Sequence, residues 1–125
     1  MSFGSFHPSY FTLRREDDVV VAQFVLSHLS DEENVEQLGH ELFTLVDHFE
    51  CRKLVMNLAT VQYMTSSVLG KLITVHRRLH RNEGLLILCH LTGGLREILR
   101  ASRLLDYFHV TEDVDAALAR LREAS

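Results

Sequence analysis

The stretch Val61-Gln62-Tyr63-Met64-Thr65-Ser66-Ser67-Val68-Leu69-Gly70-Lys71-Leu72 decides how this chain of 125 residues is organised. An apolar run at residues 54–58 precedes it and has the length of a buried strand. Apolar residues then recur at helical spacing through residues 68–79. Three consecutive hydroxyl residues, 65–67, therefore stand at the point where a helix is expected to begin.

The hydroxyl residues 65–67 permit two interpretations. A serine or threonine at the start of a helix can cap the first turn with its side-chain oxygen. A hydroxyl at the same position can also accept a phosphoryl group, which adds about −1.5 to −2 charge and three acceptor oxygens. Capping needs only one hydroxyl, and the residues alone leave both interpretations open.

Length and composition indicate one domain of ordinary globular type. A chain of 125 residues with 46% apolar residues can bury a single moderate core. No run of 18 apolar residues occurs, so no membrane span is predicted. The net charge of −4 argues against direct nucleic-acid binding. Because residues 1–8 lack a secretory pattern and the chain has only 2 cysteines, we expect a reducing, cytoplasmic location.

Strand-like runs are spread along the whole chain. Residues 10–15 and 19–26 are predicted to form two strands, and the short turn Glu16-Asp17-Asp18 between them makes an antiparallel pair. Further strands are predicted at residues 54–58, 85–90 and 107–110. These later strands alternate with helices, which is typical of a parallel sheet with right-handed crossovers.

Four segments have helical periodicity. The first follows Ser30 and Asp31, whose side chains suit an N-cap, and the second ends near Gly84. The predicted fold class is therefore α/β, with a mostly parallel sheet, an antiparallel N-terminal strand and about four helices. We expect a flexible N-terminal arm at residues 1–9 and a single domain at residues 10–125.

The predicted topology also places a candidate site. In an open parallel sheet, ligands and partners meet the loops beyond the carboxyl ends of the strands. Three loops should share that edge, at residues 27–31, 59–67 and 91–94. Their polar residues and the adjoining strand end form a predicted partner-binding rim, which we call the rim: Ser27, His28, Asn57, Thr65, Ser66, Ser67, Thr92 and Gly93.

Charge is unevenly distributed between the first two helices. Residues 31–50 contain 7 acids and no Lys or Arg, whereas residues 66–81 contain 4 bases and no acid. One interpretation is a pair of solvated helix faces. The other is electrostatic attraction of a partner or of a second copy of the chain, which would give a homodimer.

Signatures of catalysis, metal binding and cofactor binding are weak. Gly-x-Ser-x-Gly is absent around residues 65–67. His76 and His80 have i, i+4 spacing, but Arg77 occupies the position where a zinc protease has Glu. The loop Thr92-Gly93-Gly94 lacks the spacing of a phosphate-binding loop. The sequence therefore predicts no catalytic residue, no metal site and no cofactor.

The central segment resembles that of the STAS domain family, which includes the anti-sigma factor antagonists. In the family, a strand with a central Asp leads through a loop to an aromatic or apolar pair and then Asp-Ser-Ser-Gly-Leu-Gly. The matching residues here are Met56-Asn57-Leu58, Tyr63-Met64 and Thr65-Ser66-Ser67-Val68-Leu69-Gly70. Asn and Thr stand where the family has its two aspartates. The resemblance covers about residues 10–122.

The resemblance implies a regulatory function without catalysis. In the family, a partner kinase phosphorylates the first serine of the motif, which corresponds to Ser66. The unphosphorylated protein binds this serine kinase/anti-sigma factor, and phosphorylation breaks the complex. The resemblance therefore implies a protein–protein interaction module switched at Ser66. The alternative is a STAS scaffold or small-ligand-sensing module that is not phosphorylated.

Overall fold

The computed structural model describes residues 3–30 and 32–123, so the predicted cap at Asp31 lies outside the described residues. Seven strands and four helices follow one another along this part of the chain. In chain order they are β1 (Phe11–Glu16), β2 (Val19–Phe24), β3 (His28–Leu29), α1 (Glu32–Asp47), β4 (Lys53–Asn57), β5 (Tyr63–Met64), α2 (Ser66–Arg81), β6 (Leu85–Cys89), α3 (Gly93–Ala101), β7 (His109–Thr111) and α4 (Val114–Glu123).

Five strands form one sheet in the order β1-β2-β4-β6-β7. The pair β1–β2 is antiparallel, and all other neighbours in this sheet are parallel. Asp17 has φ +57° in the turn between β1 and β2, a left-handed conformation that Asp tolerates better than most residues. The predicted α/β class, the antiparallel N-terminal strand and the four helices are confirmed.

The central strands are buried on both faces, as the apolar runs Leu54-Val55-Met56 in β4 and Leu85 to Cys89 in β6 predict. In β4, Leu54 and Met56 belong to the large core that packs against α1, α2 and α3, whereas Val55 belongs to a smaller core against α4. The alternation follows from the two-residue period of a strand. Three helices therefore cover one face of the sheet and one helix covers the other.

The second strand is shorter than its sequence predicts. Residues 19–26 are all apolar except Gln23, but β2 ends at Phe24, and Val25 and Leu26 are exposed. The neighbouring strands end in register with it, since Phe11 pairs with Phe24 and β4 stops opposite Gln23. No strand is left to cover the two following residues, so they project beyond the sheet.

The segment before β1 contacts the domain. The rings of Phe3 and Phe6 lie 5.4 and 5.5 Å from that of Phe49, measured between centroids. The amide of Ser9 donates to both carboxylate oxygens of the buried Glu41, at 3.0 and 2.9 Å. These contacts hold residues 3–9 against α1 and the loop that follows it. The flexibility and the domain boundary expected for residues 1–9 stay predictions.

The acidic and basic helices face each other within the chain. Glu36 on α1 pairs with Lys71 on α2 at 3.4 Å, and Asp47 pairs with Arg78. The guanidinium of Arg78 also lies 4.1 Å from the ring centroid of Phe43, within cation–π range. Part of the charge asymmetry seen in the sequence is therefore used to join α1 to α2.

None of the helices that the structure describes combines the length and the apolar character needed to cross a membrane.

Candidate partner-binding site

Backbone hydrogen bonds join the first two loops of the rim. The carbonyl oxygen of Ser27 accepts from the amides of Gln62 and Tyr63, at 2.8 and 3.2 Å. The carbonyl of Leu29 accepts from the amide of Thr65 at 3.1 Å. This pairing creates the short parallel strands β3 and β5, which form a separate two-stranded sheet. The loop before α1 is thereby fastened to the loop before α2.

The third loop is fastened to the second by Thr92. Its hydroxyl donates to the carbonyl of Val61 at 2.7 Å and accepts from the amide of Leu95 at 3.2 Å, capping α3. A Cβ on Gly94 would lie 2.9 Å from the carbonyl oxygen of Gln62, so this approach favours glycine. The structure thus brings all three predicted loops to one edge, although the role of each residue stays a prediction.

The hydroxyl triplet lies where α2 begins, and its members differ in environment. Thr65 is the N-cap residue, with φ −80° and ψ 169°, but its side chain makes no capping hydrogen bond. Its Oγ1 is buried without a hydrogen-bond partner among the described residues. Ser66 and Ser67 occupy the first turn and are both exposed. Side-chain capping by Thr65 therefore does not explain the triplet.

The remaining predicted rim residues shape the same edge. Asn57 is half-buried, and its Oδ1 accepts from the amide of Ala59 at 3.1 Å, which fixes the turn after β4. His28 is exposed; its Nδ1 lies 3.0 Å from the hydroxyl of Ser27, and its ring centroid lies 5.9 Å from that of Tyr63. Gly93 is exposed at the first position of α3.

Three exposed apolar residues at the rim escaped the sequence prediction. Val25, Leu26 and Tyr63 are 46%, 37% and 44% exposed. Among the described residues, only one further large hydrophobic side chain is exposed, that of Tyr107 at 41%. One feature of the sequence could have indicated the exposure of Val25 and Leu26. The apolar run of β4 is shorter than that of β2, so the last residues of the β2 run have no neighbouring strand.

The rim is also almost free of charge. Residues 19–30, 57–70 and 89–95 contain no Asp, Glu, Lys or Arg. The first turn of α2 carries no acidic residue, so no carboxylate of its own offsets the positive end of the helix dipole. Within the three loops as predicted, Asp31 is the only Asp, Glu, Lys or Arg in the sequence, so a phosphate on Ser66 would add a larger negative charge to them.

The described residues offer no reactive thiol and no group of metal ligands. Cys51 and Cys89 are buried, and burial raises the pKa of the first thiol to about 12 and that of the second to about 11. Both thiols therefore stay protonated near neutral pH. Within residues 3–30 and 32–123, no three His, Cys, Asp or Glu side chains are grouped as metal ligands.

Comparison with known proteins gives consistent matches over most of the chain. A model of the STAS domain matches residues 9–117. BtrV of Bordetella bronchiseptica, assigned as an anti-sigma factor antagonist, is 32% identical over 113 residues, which cover 90% of this chain and 95% of BtrV.

Solved structures share the architecture at low identity. An assigned anti-sigma factor antagonist from Thermotoga maritima matches with a TM-score of 0.79 and 18% identity, covering 90% of this chain and 94% of that chain. Unphosphorylated SpoIIAA, an anti-sigma factor antagonist, matches with a TM-score of 0.68 and 20% identity, covering 90% and 97%. Phosphorylated SpoIIAA from Bacillus matches with 0.66 and 21%, covering 89% and 98%. At these identities the likeness shows the fold alone.

Proposed function

Since this chain belongs to the STAS domain family and has an anti-sigma factor antagonist-like fold, we propose that it is a cytoplasmic, non-enzymatic protein–protein interaction module. Its rim binds a serine kinase/anti-sigma factor, and phosphorylation of Ser66 by that kinase releases the partner. The observation that carries this proposal is that apolar side chains and Ser66 are both exposed on the segments that follow β2 and β4 at this edge of the sheet.

The docking half of the proposal rests on the surface around Ser66. Val25, Leu26 and Tyr63 expose apolar area that the fold itself leaves uncovered. A partner that covers them removes this area from water, at roughly 25 cal/mol per Å². Because the surrounding loops are nearly free of charge, few ionic groups have to be desolvated when the partner binds.

The switching half of the proposal rests on charge. A phosphate on Ser66 brings about −1.5 to −2 charge to three loops whose sequence otherwise contains one charged residue, Asp31. The exposed amide end of α2 tolerates that charge, so the free protein stays folded. In the complex the phosphate would have to be buried against the partner, which is unfavourable unless the partner supplies cations. Among the relatives, SpoIIAA is known in unphosphorylated and phosphorylated forms.

Intact-mass analysis after incubation with the partner kinase and ATP tests the switch. We expect the chain to gain one phosphate, Ser67→Ala to gain it as well, and Ser66→Ala to gain none. The Ser67 variant is the matched control, because Ser67 is the adjacent exposed hydroxyl in the same turn. Phosphorylation that persists in Ser66→Ala would assign the site to another residue.

The mass analysis, combined with a pull-down assay, separates the phosphorylation switch from its alternative. If the kinase binds in a pull-down assay but transfers no phosphate, the chain is a non-phosphorylated STAS scaffold or small-ligand-sensing module. The alternative has one observation in its favour, since Asn57 and Thr65 stand where the family motif has aspartates. Failure of the kinase to bind either the chain or its Ser66→Ala variant would contradict the docking proposal itself.

Self-association through α1 and α2 also stays a prediction. The pairs Glu36–Lys71 and Asp47–Arg78 already join these helices within one chain. Size-exclusion chromatography at low and high salt tests a homodimer, because salt screens exposed charges. A dimer that persists unchanged at high salt would point to an apolar interface instead.

A further inference from the structure

A second candidate site lies at the end of α2 that is remote from Ser66. A cavity of about 510 Å³ lies between the last turns of this helix and the segment that leads into β7. The helix rises about 1.5 Å per residue, so the cavity lies about 20 Å from Ser66 along the axis. Six residues line it: His76, Arg77, His80, Arg81, Tyr107 and His109.

The lining is cationic and contains no acid. Arg77 and Arg81 make no ion pair with any described residue, whereas the neighbouring Arg78 is paired with Asp47. The carboxyl end of a helix carries about −0.5 of an elementary charge, which two guanidinium groups exceed. Helix capping therefore does not account for the positive charge at this site, in a chain whose net charge is −4.

The histidines present unused hydrogen-bonding groups. The Nδ1 atom of His76 is buried and has no hydrogen-bond partner in the described part of the chain. The ring itself is fixed by neighbours: its centroid lies 4.9 Å from that of Tyr107, 5.6 Å from Phe108 and 6.0 Å from His109. Because Nδ1 is shielded from solvent, a ligand in the cavity would meet the exposed part of this half-buried side chain rather than Nδ1.

A contact from Arg120 on α4 selects one tautomer of the neutral His109 ring. Nη2 of Arg120 lies 2.8 Å from Nδ1 of His109. A guanidinium only donates, so Nδ1 accepts and the neutral ring carries its proton on Nε2. Nε2–H is then a donor on the far side of the ring. The remaining wall is Tyr107, an exposed aromatic ring that suits the apolar part of a ligand.

This donor set selects an anion over a metal ion. Guanidinium groups repel cations and bind phosphate through paired N–H donors. We propose that this cavity binds the phosphate group of a small phosphorylated molecule, with Arg77 and Arg81 as the charged donors, the histidines as further donors and Tyr107 against the rest of the ligand. The site is separate from the rim and goes beyond the proposed function.

Titration of the intact protein with inorganic phosphate and with phenyl phosphate tests the proposal. We expect both probes to shift the ring resonances of His76, His80 and His109 in NMR spectra, and phenyl phosphate to bind more tightly because its ring can contact Tyr107. Sodium chloride at the same ionic strength is the control for screening. Absence of specific shifts with both probes would overturn the proposal.

A double variant tests the assignment of the arginines. Arg77→Gln combined with Arg81→Gln should weaken phosphate binding at least about tenfold, since two charge-assisted contacts are lost. Arg100→Gln, which removes an exposed helical arginine elsewhere, should leave it unchanged. Equal affinities in the double variant and the control would overturn the proposal. The wild-type NMR titration decides the question if the double variant fails to fold.

The histidines add a pH dependence that a pair of arginines alone would lack. Burial and the nearby His109 and His80 lower the pKa of His76. Burial, Arg120 and His80 lower the pKa of His109.

An anion at the site offsets this repulsion and favours the protonated rings. Asp106, Glu112 and Arg96 line an adjoining cavity that His109 and Arg120 also line. Sulfate, whose charge does not change in this range, should therefore bind more tightly at about pH 5.5 than at about pH 8. Equal sulfate affinity at both pH values would overturn this pH dependence, because neutral rings would then be the only form that contacts the anion.

Discussion

The two ends of α2 differ in almost every property that governs binding. At its amino end, the rim is nearly free of charge, exposes Val25, Leu26 and Tyr63, and presents Ser66. At its carboxyl end, the cavity beside β7 is lined by arginines, histidines and Tyr107. The same added charge should therefore have opposite effects: a phosphate is unfavourable in an apolar interface at the first end and favourable at the second.

This difference shows how one helix can serve two sites without interference. The core residues of α2, including Val68, Leu72 and Val75, fix it against the sheet, so both ends are rigidly placed. The side chains of α2 that are proposed to bind at either end are not among its buried residues. Variants at one end should leave the other unaffected, and reciprocal substitutions provide the sharpest test.

The largest expected effect is on the free energy of unfolding, when a closely packed glycine near either end of α2 is replaced by alanine. A Cβ on Gly84, where α2 returns to β6, would lie 2.3 Å from the backbone oxygen of Arg52. At the rim, a Cβ on Gly94 would lie 2.9 Å from that of Gln62. Gly84→Ala should lower the free energy of unfolding by about 3 kcal/mol and Gly94→Ala by about 1 kcal/mol. Urea denaturation measures both, and a larger loss for Gly94→Ala would reverse the comparison.

A charge introduced at the rim should act on binding rather than on folding. Ser66→Asp is expected to weaken partner binding by at least about 2 kcal/mol, because a carboxylate is desolvated in the interface. The free energy of unfolding should change by less than about 1 kcal/mol, since an acid at a helix start is tolerated. Isothermal titration calorimetry with the kinase measures the first quantity and urea denaturation the second.

Ser102→Asp is the matched control for that charge. Ser102 is an exposed serine at the C-cap of α3, outside the rim. The Ser102→Asp variant should leave kinase binding unchanged. If both aspartates weaken binding equally, net charge rather than the position of Ser66 governs the complex.

Two exposed tyrosines give a reciprocal pair of variants. Tyr63→Ala should weaken kinase binding by about 1–2 kcal/mol, as expected for an aromatic interface residue, and leave phenyl phosphate binding unchanged. Tyr107→Ala should weaken phenyl phosphate binding and leave kinase binding unchanged. Surface plasmon resonance for the kinase and NMR titration for phenyl phosphate give the four values. A loss of both activities in either variant would mean that the two ends are coupled.

The smallest expected effect concerns pH. Because the folded protein lowers the pKa of His76 and His109, it binds protons less readily than the unfolded chain does. The stability that these neutral rings contribute is present above the ordinary histidine pKa of about 6.5 and is lost as pH falls below it. The melting temperature should fall on acidification, and added phosphate should reduce that fall. His76→Gln should flatten the profile relative to His40→Gln, a variant of an exposed histidine on α1. Identical profiles for the two variants would contradict this prediction.

Much of the fold could be predicted from local patterns, and the errors have a common cause. The strands predicted at residues 54–58 and 85–90 are apolar except for Asn57 and His90, and the helix of residues 66–81 has a clear period, so their existence was evident. The end of β2 and the pairing of β3 with β5 depend on where neighbouring strands stop. A single run such as residues 19–26 contains no information about the length of its neighbours.

For the candidate sites, the sequence predicted which loops lie at one edge but not which side chains are exposed there or which distant residues approach them. Topology brought Ser27, Thr92 and Ser66 to one edge, because the carboxyl ends of parallel strands share it. The exposed side chains Val25 and Leu26 were assigned to a buried strand, since apolar residues usually indicate burial. His76 and His80 were evident as a pair, but the approach of His109 and Tyr107 from another segment was not.

By itself, the sequence determined the class of fold, the order of its elements, the placement of the hydroxyl triplet at the start of α2 and the resemblance to STAS domains. These properties follow from local periodicity and from the chirality of strand–helix–strand connections. Only the tertiary structure decided that Thr65 does not cap its helix, that the acidic and basic helices pair with each other, and that exposed apolar side chains and a cationic cavity lie towards opposite ends of α2. Each of these depends on contacts between segments far apart in the chain, which no local pattern specifies.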